Sequence, residues 1–380
     1  MKIKYYILSI VLTVSCNTQN NDIYQFDPRT IIDNEISLSE IADEVSYIPM
    51  ENNFPIGMVY RYQKVNNTIY LSVKDTGILA MDNTGRVLLK IGSIGRGPGE
   101  YTFYVYFTVD ENSETVYVMD SGNIIKAYSK HGKYLRSFSL KEYGEIIDAI
   151  EVFNSKIFVT FFLQAENAKY SWIILDTLGN LINVKERTIP PFSSNWLLEG
   201  GLYKFDNLLF YWNPFADTVY SINPDNTYKT SFIISEGEHR FPKYKFYSFE
   251  ERLKYLQLDQ ILETDKYLII RYSFKESLLA IIDKKSRKSF KIYLESQNTN
   301  GIVNNLDGGV PFLPTSYYVE HGREYLMGLI FPYEITSFIA SDNFRNSIVK
   351  FPEKKKEFEK LANSLKETDN PILMIVRLKK

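Results

Sequence analysis

The chain of 380 residues has few of the residues that form disulfide bonds or bind metals in small folds. It has one cysteine, Cys16, and three histidines, His131, His239 and His321, which lie far apart in the sequence. A single thiol excludes an internal disulfide, and the histidine spacing does not match a transition-metal site. The 44 basic and 46 acidic residues leave no basic excess, so the composition does not indicate nucleic-acid binding. The sequence also lacks a P-loop and a Gly-x-Ser-x-Gly nucleophile motif.

The N-terminus has the pattern of a processing segment. Lys2 and Lys4 precede the apolar run from Tyr5 to Val14, which is shorter than the roughly 20 residues that span a bilayer as a helix. The following Ser15-Cys16 resembles the end of a bacterial lipobox, in which a small residue precedes a lipidated cysteine. We therefore predict a signal peptide over 1–15, lipid attachment at Cys16 and a polar tether over 16–34. The mature protein would then be anchored to a membrane without crossing it.

Aromatic residues and a repeat dominate the remainder of the chain. The 29 tyrosines and 25 phenylalanines favour strands. Polar turns between strand-like runs begin at five positions, and the steps between them are 48, 46, 47 and 60 residues. A period in the forties with several strands per unit is typical of β-propeller blades. The five turns begin at Asp82, Lys130, Asp176, Asn223 and Asp283.

The two ends of the chain complete the predicted ring. The terminal run Ile372 to Leu378 reads as a strand, and Val45 to Met50 is its N-terminal counterpart. A capping-box pattern predicts a short helix over 248–258, and Pro352 begins a second predicted helix. The predicted fold class is all-β, a six-bladed β-propeller over residues 35–380, with N- and C-terminal strands closing the ring and short helical insertions.

A glycine-rich run from Ile91 to Tyr101 has four glycines and Pro98. A dinucleotide-binding loop would have to open a helix, whereas the residues that follow, Tyr101 to Phe107, are aromatic and β-branched. Pro98 also lacks the amide that a phosphate cradle would use. The sequence therefore predicts a corner between two strands, at a junction between blades.

Four segments together carry a family resemblance. They are Ile36–Glu51, Gly95–Tyr101, Asn305–Pro314 and Asp369–Val376. In these segments the chain resembles the six-bladed β-propeller lipoproteins of Gram-negative envelopes, relatives of the NHL-repeat and TolB-like propellers. The resemblance implies a propeller fold and a location in the cell envelope. It implies no established activity, so a function has to be argued from a site.

Two segments are candidates for a ligand surface. In the glycine corner, exposed backbone could approach a partner beside Arg96, Glu100 and Tyr101; the alternative is that the glycines serve close packing at the blade junction. The second candidate is the predicted loop 304–318, where aromatic rings could form a stacking platform. Its alternative is a cap over the propeller axis with buried aromatics. The loop residues concerned are Asp307, Phe312, Tyr317 and Tyr318.

Two functional hypotheses remain open at this point. The first is a non-catalytic binding or scaffold protein of the cell envelope, anchored to a membrane through its lipid, with a protein, peptide or glycan partner and no nucleic acid. The second is an enzyme, a lactonase-like hydrolase or lyase with a metal in the axial channel. The sequence shows no clustered catalytic set, metal site or cofactor motif, and many of its aspartates fall at turns where Asp caps its own backbone. The polar residues after Cys16 do not decide between a periplasmic and a surface-exposed location.

Overall fold

The N-terminal segment is bound to the body of the protein. The computed structural model describes residues 23–144, 146–164, 168–190, 192, 194, 198–243, 248–294 and 300–380. The predicted signal peptide, Cys16 and the first part of the tether lie outside these residues. From there β1 (Tyr24–Phe26) pairs in parallel with the outer strand β18 (Tyr228–Ile234), and Phe26 is fully buried. β1 therefore packs on the propeller although it precedes residue 35, the predicted start of that domain.

Six four-stranded antiparallel sheets form a six-bladed β-propeller. Blade 1 has β3 (Val59–Val65), β4 (Thr68–Val73), β5 (Gly77–Asp82) and β6 (Val87–Ile91). Blade 2 has β7 (Phe107–Val109), β8 (Val116–Asp120), β9 (Ile124–Tyr128) and β10 (Tyr134–Ser139). Blade 3 has β11 (Ile147–Phe153), β12 (Lys156–Phe161), β13 (Tyr170–Leu175) and β14 (Leu181–Glu186). Blade 4 has β15 (Gly201–Phe205), β16 (Leu208–Trp212), β17 (Thr218–Ile222) and β18, with β1 as a fifth, outermost strand.

Blade 5 has β19 (Gln257–Glu263), β20 (Tyr267–Phe274), β21 (Glu276–Asp283) and β22 (Ser289–Tyr293). Blade 6 has β23 (Ser316–Glu320), β24 (Arg323–Ile330), β25 (Ile372–Leu378) and, from the other end of the chain, β2 (Ala42–Pro49). The helices are α1 (Leu38–Ile41), α2 (Phe249–Arg252), α3 (Pro332–Ile339), α4 (Asp342–Asn346) and α5 (Pro352–Ser364). The first strand of each blade contacts the first strands of both neighbouring blades, and these six strands surround the axis.

The predicted repeat is confirmed, and the backbone gives its register. All five predicted turns join the third and fourth strands of a blade. Each has one residue with a positive φ, and these residues are 47, 47, 47 and 61 residues apart. The insertion that lengthens the last step lies between β18 and β19, where the predicted helix over 248–258 shortens to the single turn α2. The positive-φ residues are Gly85, Gly132, Gly179, Asn226 and Arg287.

The core is divided among the blade interfaces. Blade strands that read as apolar on both faces are buried between two sheets, as in β8, all five of whose residues are buried. One apolar cluster joins each neighbouring pair of blades around the ring. Because each blade supplies both of its faces to the core, no blade buries its apolar surface alone.

The ring closes where the two ends of the chain meet. Antiparallel pairing joins β2 to β25, as the sequence predicted. Asn370, just before β25, is almost fully buried. Its amide donates to the carbonyl oxygens of Glu51 and Phe54 (2.6 Å each), and its Oδ1 accepts from the Ile56 amide (2.8 Å). The Asn370 side chain therefore links the start of β25 to the connection that follows β2.

Two strand predictions are wrong. Tyr101 to Tyr106 is not a strand, because Tyr101 makes only one isolated bridge, to Ile94, and β7 begins at Phe107. The predicted loop 304–318 ends early, since Tyr317 and Tyr318 belong to β23. The helix at Pro352 is confirmed as α5. No helix in the described part of the chain has the length and apolar character needed to cross a membrane.

Candidate functional site

The strand order gives the propeller two unequal mouths. Every first strand begins at one mouth, and the long connections that enter it gather there; we call this end the loop mouth. Every first strand ends at the opposite mouth, which short hairpin turns surround; we call it the turn mouth. The helices α3, α4 and α5 also lie on the loop-mouth side, because they join the end of β24 to the start of β25. Long ordered connections on a rigid scaffold commonly carry binding.

Several polar residues that line the turn mouth have a role in the fold. This cavity of about 800 Å³ is lined by the hairpin turns that follow the first strands. Asn66, Asn154 and Asp206 have positive φ there, as two-residue hairpin turns require. The cations are paired, Lys64 with Glu320 (2.7 Å) and Lys204 with Glu111 (2.7 Å). The turns and the ion pairs account for part of the polar lining of this mouth.

A buried ion cluster separates the two mouths. The carboxylate of Glu151, 3% exposed, accepts from Arg61 Nη2 (2.9 Å) and from the Thr108 hydroxyl (2.6 Å), and Lys204 Nζ lies 3.6 Å away. Burial by itself lowers the pKa of Lys204, but the carboxylates of Glu151 and Glu111 outweigh it and raise that pKa above its usual value. The cluster keeps these charges mutually satisfied on the axis.

The loop mouth has polar groups that the fold does not use. This cavity of about 650 Å³ is lined by Arg61, Tyr62, Tyr106, Gln260, Arg271 and Thr315, among other residues. The Gln260 amide donates to the Thr315 carbonyl (2.6 Å), while no described residue forms a hydrogen bond with its buried Oε1. Arg271 forms no ion pair with any residue that the structure describes. Burial raises the pKa of Tyr62, and the nearby charge of Arg271 partly opposes that rise.

A second set of unused polar atoms lies behind the wall of this cavity, between blades 3 and 4. Asp148 is 1% exposed; its Oδ2 accepts from the Gly200 amide (2.9 Å), and its Oδ1 has no partner among the residues that the structure describes. A Cβ on Gly200 would lie 2.8 Å from Asp148 Oδ2 and 3.3 Å from Asn213 Nδ2, which has no hydrogen-bond partner within the described ranges. Burial raises the pKa of Asp148 to about 7, the Gly200 amide opposes the rise, and Glu199 adds to it.

The glycine corner lies between the outer parts of blades 1 and 2, away from both mouths. The buried Tyr101 donates its hydroxyl to the Ile91 carbonyl (2.7 Å) and accepts from the Ile78 amide (3.0 Å). Glu100 folds back and accepts from the Gly97 amide (2.7 Å), and a Cβ on Gly95 would lie 2.0 Å from its carboxylate. Arg96 is exposed. Tyr101 and Glu100 thus stabilise the corner. Of the three predicted site residues in it, Arg96 alone is exposed.

The predicted loop residues are separated in the same way. Asp307 is 3% exposed and accepts from Asn304 (2.6 Å), Gly309 (2.9 Å) and the Tyr47 hydroxyl (3.3 Å). Phe312 is 1% exposed and packs in the core between blades 5 and 6.

The two tyrosines of β23 line the turn mouth, and Tyr317 also lines the loop mouth. Tyr317 donates to Glu324 (2.8 Å), and Tyr318 stacks on Tyr325 with ring centroids 4.9 Å apart. The structure therefore does not bring the four loop residues together as one exposed surface.

Sequence reasoning missed the residues of the loop mouth. Arg271 interrupts the apolar run Leu268-Ile269-Ile270 of β20, and Asp148 and Glu151 interrupt the apolar run of β11. Charged residues are rarely buried without a purpose, so these interruptions were the available signal. No cluster of three or more His, Cys, Asp or Glu residues suited to a metal occurs within the described ranges.

Comparison with known proteins gives the family. The sequence profile of "Domain of unknown function (DUF4934)" matches residues 23–377. The chain belongs to the DUF4934 family. No curated protein matches it. The match begins at Ile23, in agreement with the structural role of β1.

Solved structures resemble this DUF4934 protein in fold. A Bacteroides fragilis protein assigned as exported is 16% identical, with a TM-score of 0.66 over 94% of this chain and 99% of the other. A Bacteroides thetaiotaomicron protein of unknown function is 12% identical, with a TM-score of 0.45 over 91% of this chain and 75% of the other. Virginiamycin B lyase from Staphylococcus aureus is 12% identical, with a TM-score of 0.43 over 74% and 81% of the two chains. At 16% identity, the Bacteroides fragilis protein shows a shared fold alone.

Proposed function

We propose that this protein is a lipid-anchored propeller of the cell envelope that binds a glycan at its loop mouth without catalysis. The signal-peptide pattern before Cys16 supports the envelope location, and the resemblance to envelope propeller lipoproteins agrees with it. The membrane face stays open. The binding part of the proposal rests on a different observation, the polar groups of the loop mouth that have no partner.

The kind of unused group favours a glycan. Gln260 Oε1 accepts a hydrogen bond, and Arg271 donates several. Sugar hydroxyls both donate and accept, so one ligand class can satisfy both. Tyr60, 39% exposed, and Tyr106 supply aromatic surface at the same mouth. Because Arg271 forms no ion pair with a described residue, we expect acidic glycans to bind better than neutral ones, and the nearby carboxylate of Asp259 reduces this preference.

The test compares the two candidate surfaces directly. Neutral and acidic oligosaccharides are screened on an array, and the best ligand is measured by titration calorimetry. We expect Arg271→Gln to weaken binding about tenfold or more, since a charge-assisted hydrogen bond contributes about 1.5–3 kcal/mol. Arg96→Gln, an exposed arginine in the glycine corner, is the matched control and should bind normally.

Other outcomes would change the assignment. Equal losses in Arg271→Gln and Arg96→Gln would exclude the loop mouth as the site. Binding of peptides from a library, with no glycan bound, would replace the ligand class. Cleavage of a bound glycan during incubation would favour the hydrolase or lyase alternative, and recovery of the intact glycan would support binding alone.

A further inference from the structure

The third-to-fourth-strand turn of blade 5 departs from its equivalents in the other blades. Its residues 284–288 read Lys-Lys-Ser-Arg-Lys, four basic residues in five, in a chain of net charge −2. Equivalent turns in blades 3 and 4 have no basic residue at these positions. Lys284 is held by Glu263 (2.8 Å), but Lys285, Arg287 and Lys288 are exposed and form no ion pair with a described residue.

Backbone conformation makes the same turn unusual. Gly85, Gly132 and Gly179 occupy the repeated positive-φ position in blades 1 to 3, and Asn226 occupies it in blade 4. Glycine and asparagine tolerate this region, whereas Arg287 adopts it at φ 62 against its preference. The hairpin itself does not require an arginine there. Glu114 and Lys275 adopt positive φ in other turns, so the conformation of Arg287 adds to the basic charge of this turn without marking a site by itself.

The turn lies where the N-terminal segment reaches the propeller. The Arg287 guanidinium is 4.7 Å from the centre of the Tyr24 ring in β1. Ile23 and Ile32, 50% and 57% exposed, flank the same outer edge of blades 4 and 5. Six residues separate Ile23 from Cys16, and an extended chain covers at most about 25 Å over that span. A lipid at Cys16 would thus hold this edge within reach of the bilayer surface.

We propose that the outer edge of blades 4 and 5, formed by Ile23, Ile32, Lys285, Arg287 and Lys288, is a membrane-contact surface for anionic lipid headgroups. Basic side chains beside exposed apolar ones fit the interface of an anionic bilayer. The propeller would rest on its edge, with both mouths open to the side. This inference rests on the proposed envelope location and not on glycan binding.

Vesicle binding without a lipid anchor tests the surface. The chain from Asn17 onward contains all six blades, and it is mixed with vesicles of phosphatidylcholine alone or with one third phosphatidylglycerol, at low and physiological salt. We expect binding to the anionic vesicles only, weakened by salt. Lys285→Gln with Lys288→Gln should lower the partition about fivefold per residue. Lys130→Gln with Lys133→Gln, in the equivalent turn of blade 2, should leave it unchanged.

Arg287→Gly separates membrane contact from a structural role. Glycine accepts the positive φ, so we expect about fivefold weaker vesicle binding with no fall in the urea unfolding midpoint. A lower midpoint with unchanged vesicle binding would mean that Arg287 only stabilises the fold through its contact with Tyr24, and would overturn the proposal. Equal losses in both lysine pairs, no binding to anionic vesicles, or equally tight binding to double-stranded DNA would overturn it too. Glycan binding should be unaffected by any of these variants, so the two proposals fail separately.

Discussion

Single residues that look alike in sequence have opposite roles in this protein. Glu100 and Asp307 stand in glycine-rich, loop-like segments, yet both carboxylates are used up in holding those segments closed. Asp148 and Arg271 stand in apolar strands, and both keep polar atoms without partners among the described residues. The difference arises because a loop carboxylate can turn to its own backbone amides, whereas a strand fixes the direction of its side chain.

Asp148 should make the stability of the protein depend on pH. Its pKa is about 7 when folded and near 3.8 when exposed, so between these values the folded state binds the extra proton. The contribution of this residue to stability is therefore full at low pH and falls as the pH rises through 7, by up to about 4 kcal/mol. Asp148→Asn, which can still accept from the Gly200 amide, should become progressively more stable than the natural protein between pH 5 and pH 8 in urea unfolding.

Asp176→Asn is a control of opposite sign. Hydrogen bonds from Asn180 and from turn amides lower the pKa of Asp176, so its carboxylate stabilises the turn at neutral pH and this contribution is lost on acidification. The asparagine variant should therefore be less stable than the natural protein at pH 7 and approach it in acid. Parallel pH profiles for Asp148→Asn and the natural protein would contradict the assignment of Asp148.

At the scale of elements, three of the four segments that carry the family resemblance build the closure of the ring. Asp369–Val376 contains Asn370 and most of β25, and Ile36–Glu51 contains α1 and β2. Asn305–Pro314 is fixed to these by the hydrogen bond between Asp307 and Tyr47, and by those between Asn305 and Ser39 (2.8 and 2.9 Å). The resemblance therefore identifies a way of closing a propeller, which explains why it predicts the fold and not a ligand.

Loss of the Asn370 side chain should be costly. Asn370→Ala leaves two carbonyl groups and the Ile56 amide without their partner in a buried place, so we expect a loss of about 2–4 kcal/mol in the free energy of unfolding. Asn183→Ala, at an exposed position on β14, should change it by less than about 0.5 kcal/mol. Urea unfolding of both variants measures the difference. Similar small effects would mean that the closure does not depend on this side chain.

The elements also show how far sequence reasoning can go. Turn chemistry recurs every 47 residues because each blade needs the same positive-φ residue, so blade number and ring closure were predictable. The aromatic stretch after the glycine corner satisfies strand propensity but is used to cross from the outside of blade 1 to the inside of blade 2. Whether such a stretch forms a strand or a connection depends on its place in the tertiary structure, which strand propensity does not specify. The loop mouth is likewise assembled from strands distant in sequence.

The whole molecule is a ring in which every blade depends on both neighbours for its core. Six apolar clusters lie between blades, and the two chain ends share blade 6. No covalent link closes this ring, since Cys16 is the single cysteine of the chain. The ring should therefore unfold as one cooperative unit and not blade by blade.

A cavity in the closing strand tests this cooperativity. In Met374→Ala, a fully buried side chain of β25 is truncated, and the lost packing should reduce the free energy of unfolding by about 2–5 kcal/mol. Trp172 and Trp212 lie in blades 3 and 4, away from blade 6, so their fluorescence reports on blades distant from the substitution. Far-ultraviolet circular dichroism reports on all strands. Both midpoints in urea should fall by the same amount in Met374→Ala. Ile182→Ala, at a 45% exposed position on blade 3, should move neither. If the dichroism midpoint falls while the fluorescence midpoint stays, blades 3 and 4 survive the opening of blade 6, and the ring is not a single cooperative unit.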